Sequence, residues 1–276
     1  MKKILKYILL IILILLIAFL IYTILIKKPK LDKDWSVDQK VLPEITFLEN
    51  GVEIKNMRDI TYKTVTDYTV NYYDWVYNYD DLDNLYFMVE PFSDYNWPAH
   101  TFVTFGFKNG EHMVISAEVR KKVWESFSAV KWFLNWFELV YMIGKETDFI
   151  KLRANYRKDE VFLYPIKIEH EDLKNFFVSV LKRADKLSKE PEFYNTVFNN
   201  CTTNIMLHAN EIRINDIWFS RKAILPAYAD TVVYDLWIID TELSFDEAKK
   251  YYKINELSEM YAEDSDYSAK IRKEIK

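Results

Sequence analysis

Tyr7 to Ile26 runs for twenty residues without a charge. At about 1.5 Å per residue, a helix of that length spans the roughly 30 Å of hydrocarbon in a bilayer. A cleaved signal peptide would carry about 7–15 apolar residues and end in small ones. Here the run is longer, and Ile24-Leu25-Ile26-Lys27-Lys28 offers no small-residue cleavage site. Residues 1–28 therefore read as an uncleaved transmembrane signal anchor, with contact to the bilayer through 7–26. Lys2, Lys3 and Lys6 precede the span, but Lys27, Lys28, Lys30 and Lys33 come after it, so charge bias does not orient it. An N-terminal anchor with almost nothing before it usually translocates the chain on its C-terminal side. The body is expected outside the cytoplasm, single-pass, on the periplasmic or extracellular face.

The first 28 residues hold five lysines and no acid, which leaves 32 basic against 42 acidic residues, a net of −10. A body of that charge argues against nucleic acid as a partner and against electrostatic docking on anionic lipid. Only four glycines occur, Gly51, Gly106, Gly110 and Gly144, and none are clustered. That excludes a P-loop and a dinucleotide fingerprint, both of which need clustered glycines to bring backbone amides onto phosphate. Neither a G-x-S-x-G elbow nor an H-E-x-x-H helix is present. With Cys201 alone, no intrachain disulfide and no cysteine-rich zinc site can form. His112, His170 and His208 show no ligand spacing, so no metal and no cofactor is expected.

Residues 29–43 read as a short charged tether and 241–276 as a helical tail, with a solvated end from Glu263. Between them, 44–240 is expected to form one domain. Asn50-Gly51, between Ile45–Phe47 and Val52–Ile54, marks one hairpin, and Asn109-Gly110, between Ala99–Phe107 and His112–Arg120, a second. Tyr62 to Leu85 has no clean period and reads as partly helical. Trp124 to Asn135 is aromatic, roughly amphipathic and helical at first. Phe137–Ile143 alternates as a strand, and Phe149–Ala154 and Glu160–Ile168 read as two more. Glu171 to Leu187 is apolar at 173, 176, 177, 180, 181 and 184, a helical spacing, and Thr202 to Ile212 is a second helix. The sum is an α+β fold: an antiparallel sheet packed with helices, after one transmembrane helix.

Cys201 lies in Asn199-Asn200-Cys201-Thr202-Thr203-Asn204, where N-cap residues precede the apolar-periodic Ile205, Met206 and Leu207. The thiol is therefore expected at a helix N-terminus, where the macrodipole and open amides favour a thiolate. It is either an activated nucleophile or a buried small hydrophobe, the commoner fate of a free cysteine. A thiolate nucleophile needs a histidine nearby. His208, seven residues down the same helix, is about 10 Å away, too far for a hydrogen bond. His170 reads as a solvated cap and His112 as exposed. His100 opens an apolar strand and is placed to meet a helix packed on the sheet, unless it is a satisfied structural histidine. A three-residue loop, Lys108-Asn109-Gly110, pairs Phe107 with Glu111 and puts the apolar odd positions of both strands on one face. In that register His100 lies opposite Glu118, whose carboxylate would fix the imidazole tautomer. Arg120, on the same face, is the competing partner for Glu118. A plain surface pair remains the alternative.

Taken together, Asn56-Met57-Arg58-Asp59, His100-Thr101-Phe102, Phe105-Gly106-Phe107, Ser116-Ala117-Glu118-Val119-Arg120, Phe137-Glu138-Leu139-Val140-Tyr141, Asp148, Arg153, Phe162-Leu163-Tyr164-Pro165, Asn199 to Asn204 and Leu225-Pro226-Ala227-Tyr228-Ala229-Asp230 resemble the Lnb-type N-terminal periplasmic domain. The resemblance runs from about Glu53 to Asp235. It implies a papain-like, NlpC-type fold in circularly permuted order, and the chemistry of a lipoprotein N-acyltransferase. Carried across, Cys201 is the nucleophile, His100 the base and Glu118 the orienting residue, with Asn200, Thr202, Asn204 and Arg120 in support.

The implied activity is a membrane-anchored thiol acyltransferase or acyl hydrolase on lipid or lipoprotein substrates. Cys201 would form an acyl-thioester, with helix N-terminal amides as the oxyanion hole. Trp124, Phe127, Trp132, Phe133, Trp136 and Phe137 would wall in acyl chains, or else are ordinary core. A cell-wall peptidase or amidase, or a non-catalytic ectodomain, are the alternatives on the same fold.

Overall fold

The computed structural model describes residues 2–92, 98–125, 131, 135–212 and 226–275. An apolar helix, α1 (Lys2–Ile21), continues as a wider turn through Tyr22–Ile26 and stands clear of the body, exposed along its length. Beyond it, eight strands form one sheet: β1 (Glu44–Leu48), β2 (Gly51–Tyr62), β3 (Tyr68–Asn78), β4 (Leu82–Pro91), β5 (Ala99–Phe107), β6 (His112–Arg120), β7 (Glu138–Lys145) and β8 (Phe162–Pro165). Their order is β1-β2-β7-β6-β5-β4-β8, with β3 also paired to β2. Every pairing is antiparallel except β2 with β7. That parallel contact brings Gly144 against Arg58, where a Cβ would lie 2.1 Å from the Arg58 carbonyl oxygen. The fold is α+β.

Odd positions of β5, β6 and β7 face one way. Val103, Phe105, Met113, Ile115, Leu139 and Ile143 are buried there against α3 (His170–Lys189), whose Phe176, Phe177, Val180 and Leu181 form its apolar stripe. On the same side lies α4 (Cys201–Glu211), and after it α5 (Ala229–Asp235). Even positions, Phe102, Val114, Val140 and Met142, face α2 (Glu146–Lys151) and the C-terminal segment. Both faces of the central strands β5, β6 and β7 are thus covered, which explains why they carry few polar residues.

Three expectations are corrected. Tyr62–Leu85 contains no α-helix: its middle is β3, rich in Tyr, Val, Thr and Trp, which favour strands. Both faces of β3 are largely exposed, so no alternation marked it. Phe149–Ala154 is not a strand but α2 running into a wider turn, Leu152–Arg157, buried on several sides. Short apolar runs of this kind carry no decisive period. The end beyond Glu263 is not solvated. The C-terminal segment forms α6 (Phe245–Tyr251), α7 (Asn255–Met260) and α8 (Tyr267–Lys270), and it buries Tyr252, Ile254, Tyr267 and Ile271. Arg272 closes it with two bonds to the buried Glu146, at 2.6 and 2.9 Å. Most of the stretch expected as a helix over Trp124–Asn135 lies outside the described residues, as do Phe127, Trp132 and Phe133.

Residues 29–43 do not hang free. Trp35 bridges Lys122, Lys33 pairs with Glu138, and Gln39 is buried against β6. The expected tether is docked along the body from the foot of α1 to the edge of the candidate site.

Candidate active site

The β5–β6 hairpin has the expected register. Phe107 N donates to Glu111 O at 2.9 Å, Gly110 N donates back to Phe107 O at 2.8 Å, and Gly110 takes φ +85°, which its lack of a Cβ permits. The ladder continues to Val103–Ile115 and stops. Beyond it, β5 stays paired to β4, with His100 across from Glu90, while β6 stays with β7. The two strands part where His100 and Glu118 would have met, and Ser116 fills the space between them.

His100 Nε2 lies 2.7 Å from Ser116 Oγ, and that hydroxyl donates to Glu118 Oε1 at 3.1 Å. The direct His100–Glu118 separation is 3.9 Å. Glu118 is shared further: Arg153 Nη2 donates to Oε1 at 3.1 Å and Gln39 Nε2 to Oε2 at 3.3 Å. Arg153 is itself fixed, with Nε on Glu90 Oε2 at 2.6 Å and Nη1 on Phe149 O at 2.9 Å. Arg58 stands nearby, held by a two-pronged bond to Asp148 at 2.7 and 3.0 Å.

These cations decide the charge of the carboxylate. Burial opposes ionisation of Glu118, but Arg153, Arg58, His100 and the Ser116 hydroxyl together outweigh it and hold it down to about 2. His100 goes the other way for an imidazole. Burial lowers it, Arg153 adds to that, and Glu118 only partly offsets them, so it falls to about 3. At neutral pH the site holds a carboxylate and a neutral imidazole, whose ring stacks on Phe102 with centroids 5.4 Å apart.

Cys201 begins α4. Asn200 caps it: its side chain accepts from Thr203 N at 2.8 Å, while Asn200 N donates to Thr203 Oγ1 at 2.8 Å. The Thr202 hydroxyl meets that of Thr101 at 3.0 Å and pins the helix start to β5. Cys201 and His100 are thus the residues immediately before a bonded pair. They are not bonded to each other. His100 belongs to the even face of β5 and Thr101 to the odd face beneath α4. The imidazole's partners are Ser116 and Glu118, and the thiol, 1% exposed, has Thr202 Oγ1 at 3.9 Å and the hydroxyl of Tyr194. Burial and Cys201 together push the Tyr194 hydroxyl well up. Asn204 accepts from Tyr141 at 3.0 Å and donates to Asn199 and to Asn200 O, a scaffold for the helix start. Arg120 does not compete for Glu118. Its guanidinium bonds the carbonyls of Gln39 and Lys40 at 3.0 and 2.9 Å and stacks on Trp35.

His100, Glu118, Arg58, Arg153, Tyr194 and Asn200 line one cleft of about 830 Å³. That is roomy enough for a sizeable ligand. His208, by contrast, is buried between Tyr141 and Ser179, at 3.0 and 2.7 Å. No group of three or more His, Cys, Asp or Glu suited to a metal occurs among the described residues.

Residue patterns alone pointed to neither Ser116 nor Gln39, and gave Arg153 no role. Ser116 was findable, because positions two apart on a strand share a face. Gln39 carried no signal in a segment without periodicity.

A cysteine helix start beside a histidine strand on a mixed sheet is where the comparison with known families bears. The model of the Lnb N-terminal periplasmic domain matches residues 68–227. The chain belongs to that family. The Lnb domain thus takes in β3 to β8, both site strands and the whole of α4. With α1 long and apolar enough to cross a membrane, it fits a membrane-anchored periplasmic domain. No curated protein and no solved structure matches the chain.

Proposed function

We propose that this protein is a membrane-anchored thiol acyltransferase or acyl hydrolase, working on lipid or lipoprotein at the outer face of the membrane, on a permuted papain-like scaffold. The observation that carries the reading is that the Asn200 cap of the cysteine helix and the carboxylate-backed His100 line one cleft, with Cys201 next in sequence to that cap. His100 spends Nε2 on Ser116, which leaves Nδ1 to take a proton. As a neutral base it accepts the Cys201 proton while the sulfur attacks an ester or amide carbonyl. The leaving alcohol or amine takes that proton, and an acyl-thioester remains. An amine or water then attacks it, and the thiol is restored. Glu118, ionised and shared through Ser116, stabilises the imidazolium as it forms. The capping box consumes the amides of Asn200 and Thr203, and the Cys201 amide meets the Tyr194 hydroxyl, which leaves the Thr202 amide to meet an oxyanion. The missing Cys201–His100 bond is no bar, because such bonds often tighten only around substrate.

That same missing bond favours a second reading, a binding ectodomain with an inert, buried cysteine. One experiment separates the two. The full chain in detergent is treated with a 4-nitrophenyl fatty ester and its intact mass is monitored. Acylation at Cys201 that is abolished by Cys201→Ser and slowed at least ~100-fold by His100→Ala supports the enzyme. No adduct on the folded protein, or one indifferent to His100, leaves the binding module.

A further inference from the structure

The cleft that ends at His100 has an apolar lip. Val37, Val65, Val123 and Trp124 line it, and they are 57%, 41%, 38% and 100% exposed. Trp124 also holds φ +64°, a region that bulky residues rarely enter. The backbone is strained there, yet the indole buries nothing within the protein.

Two lines of contact tie this lip to the foot of the apolar helix. Lys27, just past its end, donates to Asn135 O at 3.0 Å and sits 4.6 Å over the Trp136 ring. Trp136 Nε1 in turn donates to Glu125 Oε1 at 2.6 Å, one residue from Trp124. Along the second line, Trp35 bridges Lys122, and Val123 N donates to Asp34 O at 2.9 Å. Val123 and Trp124 therefore lie on the side of the body where the chain enters the bilayer, and Val37 and Val65 line the same cleft.

We propose that Val37, Val65, Val123 and Trp124 form a wedge seated in the headgroup–acyl boundary of the bilayer that α1 enters, so that the cleft opens directly onto lipid. Three observations select a bilayer as the occupant. The covalent anchor holds the lip beside the membrane permanently. Tryptophan, apolar with one polar edge, settles at that boundary. The body, at net −10, has no excess of positive charge to draw it onto anionic headgroups, which leaves apolar insertion as the attraction. The wedge is a matter of docking and stands whether or not Cys201 is a nucleophile.

The test uses the full chain with Cys201→Ser, so that one introduced cysteine carries an environment-sensitive nitrobenzoxadiazole label. Trp124→Cys and Val65→Cys report the lip. Val76→Cys, exposed near the far end of β3 and about 30 Å from Val65 at ~3.3 Å per residue, is the control. Each is placed in phosphatidylcholine nanodiscs with plain or brominated acyl chains. The wedge requires quenching of at least about twofold at 124 and 65, with none at 76. The Val65→Cys protein keeps the native tryptophan, so a label that inserts by its own hydrophobicity at 124 is recognised. Lip labels quenched no more than the control, whether all are dry or all are wet, overturn the proposal. Burial of the lip that resists brominated lipid and appears only with a protein partner overturns it in favour of a protein interface.

Discussion

Ser116 is the residue on which the site's electrostatics turn. It is fully buried, accepts or shares the His100 proton at one side and donates to Glu118 at the other. A carboxylate 3.9 Å from an imidazole acts mainly as a charge; a hydroxyl between them fixes direction as well. Hydrogen bonds to charged groups contribute about 1.5–3 kcal/mol, so on the proposed chemistry Ser116→Ala slows acylation of Cys201 roughly tenfold or more. The same change costs the fold only about 1–3 kcal/mol. Acylation kinetics and urea unfolding measured on one preparation check both numbers. At this scale the sequence was readable where a rule of geometry applied. The hairpin register came from keeping odd positions apolar, and the cap from Asn200 ahead of an apolar run. Arg153 was not readable in its role, because it sits on a turn after α2 that has no strand or helix period. Its distance in sequence from Glu118 gave no hint that the two share a bond.

At the scale of elements, the start of α4 is the piece that has to be held still. The Asn200–Thr203 capping box satisfies two helix-end donors, and the Thr101–Thr202 bond locks the first turn against β5. Asn200 also donates to Thr196 O at 2.6 Å, which orders the loop before the helix. We expect Asn200→Ala to cost about 1–2 kcal/mol, seen as a lower urea midpoint at unchanged slope, and Asn200→Ser to recover most of it. The β5–β6 hairpin, marked by its Asn109-Gly110 turn, and helices with a clear stripe such as α3 were legible from turn chemistry and residue spacing. β3 and α2 were not. The first is exposed on both faces and the second is covered on several sides, and in each case the inside–outside contrast that periodicity reports is missing.

For the molecule as a whole, the C-terminal segment joins α2 in covering the even face of the central strands. Ile271 is fully buried beside Tyr267, while Ile275, four residues on, is 55% exposed. Ile271→Ala is therefore expected to cost about 3 kcal/mol as a core truncation, and Ile275→Ala less than about 0.5 kcal/mol. Thermal melts of the two variants beside the parent decide this. A result in which both are silent would show that the C-terminal helices are not part of the cooperative unit. Charge and composition suggested a loose tail and a loose tether, since both segments are rich in Lys, Glu and Asp; the few large residues that dock them, Trp35, Tyr267 and Ile271, are too sparse to form a pattern. The docked N-terminal segment carries a practical consequence for any release of the body from its anchor. Gln39 bonds Glu118, Val119 O and Lys121 N, and Arg120 grips the carbonyls of Gln39 and Lys40. A cut near residue 30 would shed a fragment that keeps its own carboxylate clamp. A cut near residue 43, where composition alone would draw the boundary, would shed one whose Glu118 has lost a donor and whose Arg120 has lost both acceptors. Two soluble forms differing by a dozen or so residues would then differ in the electrostatics of the cleft itself.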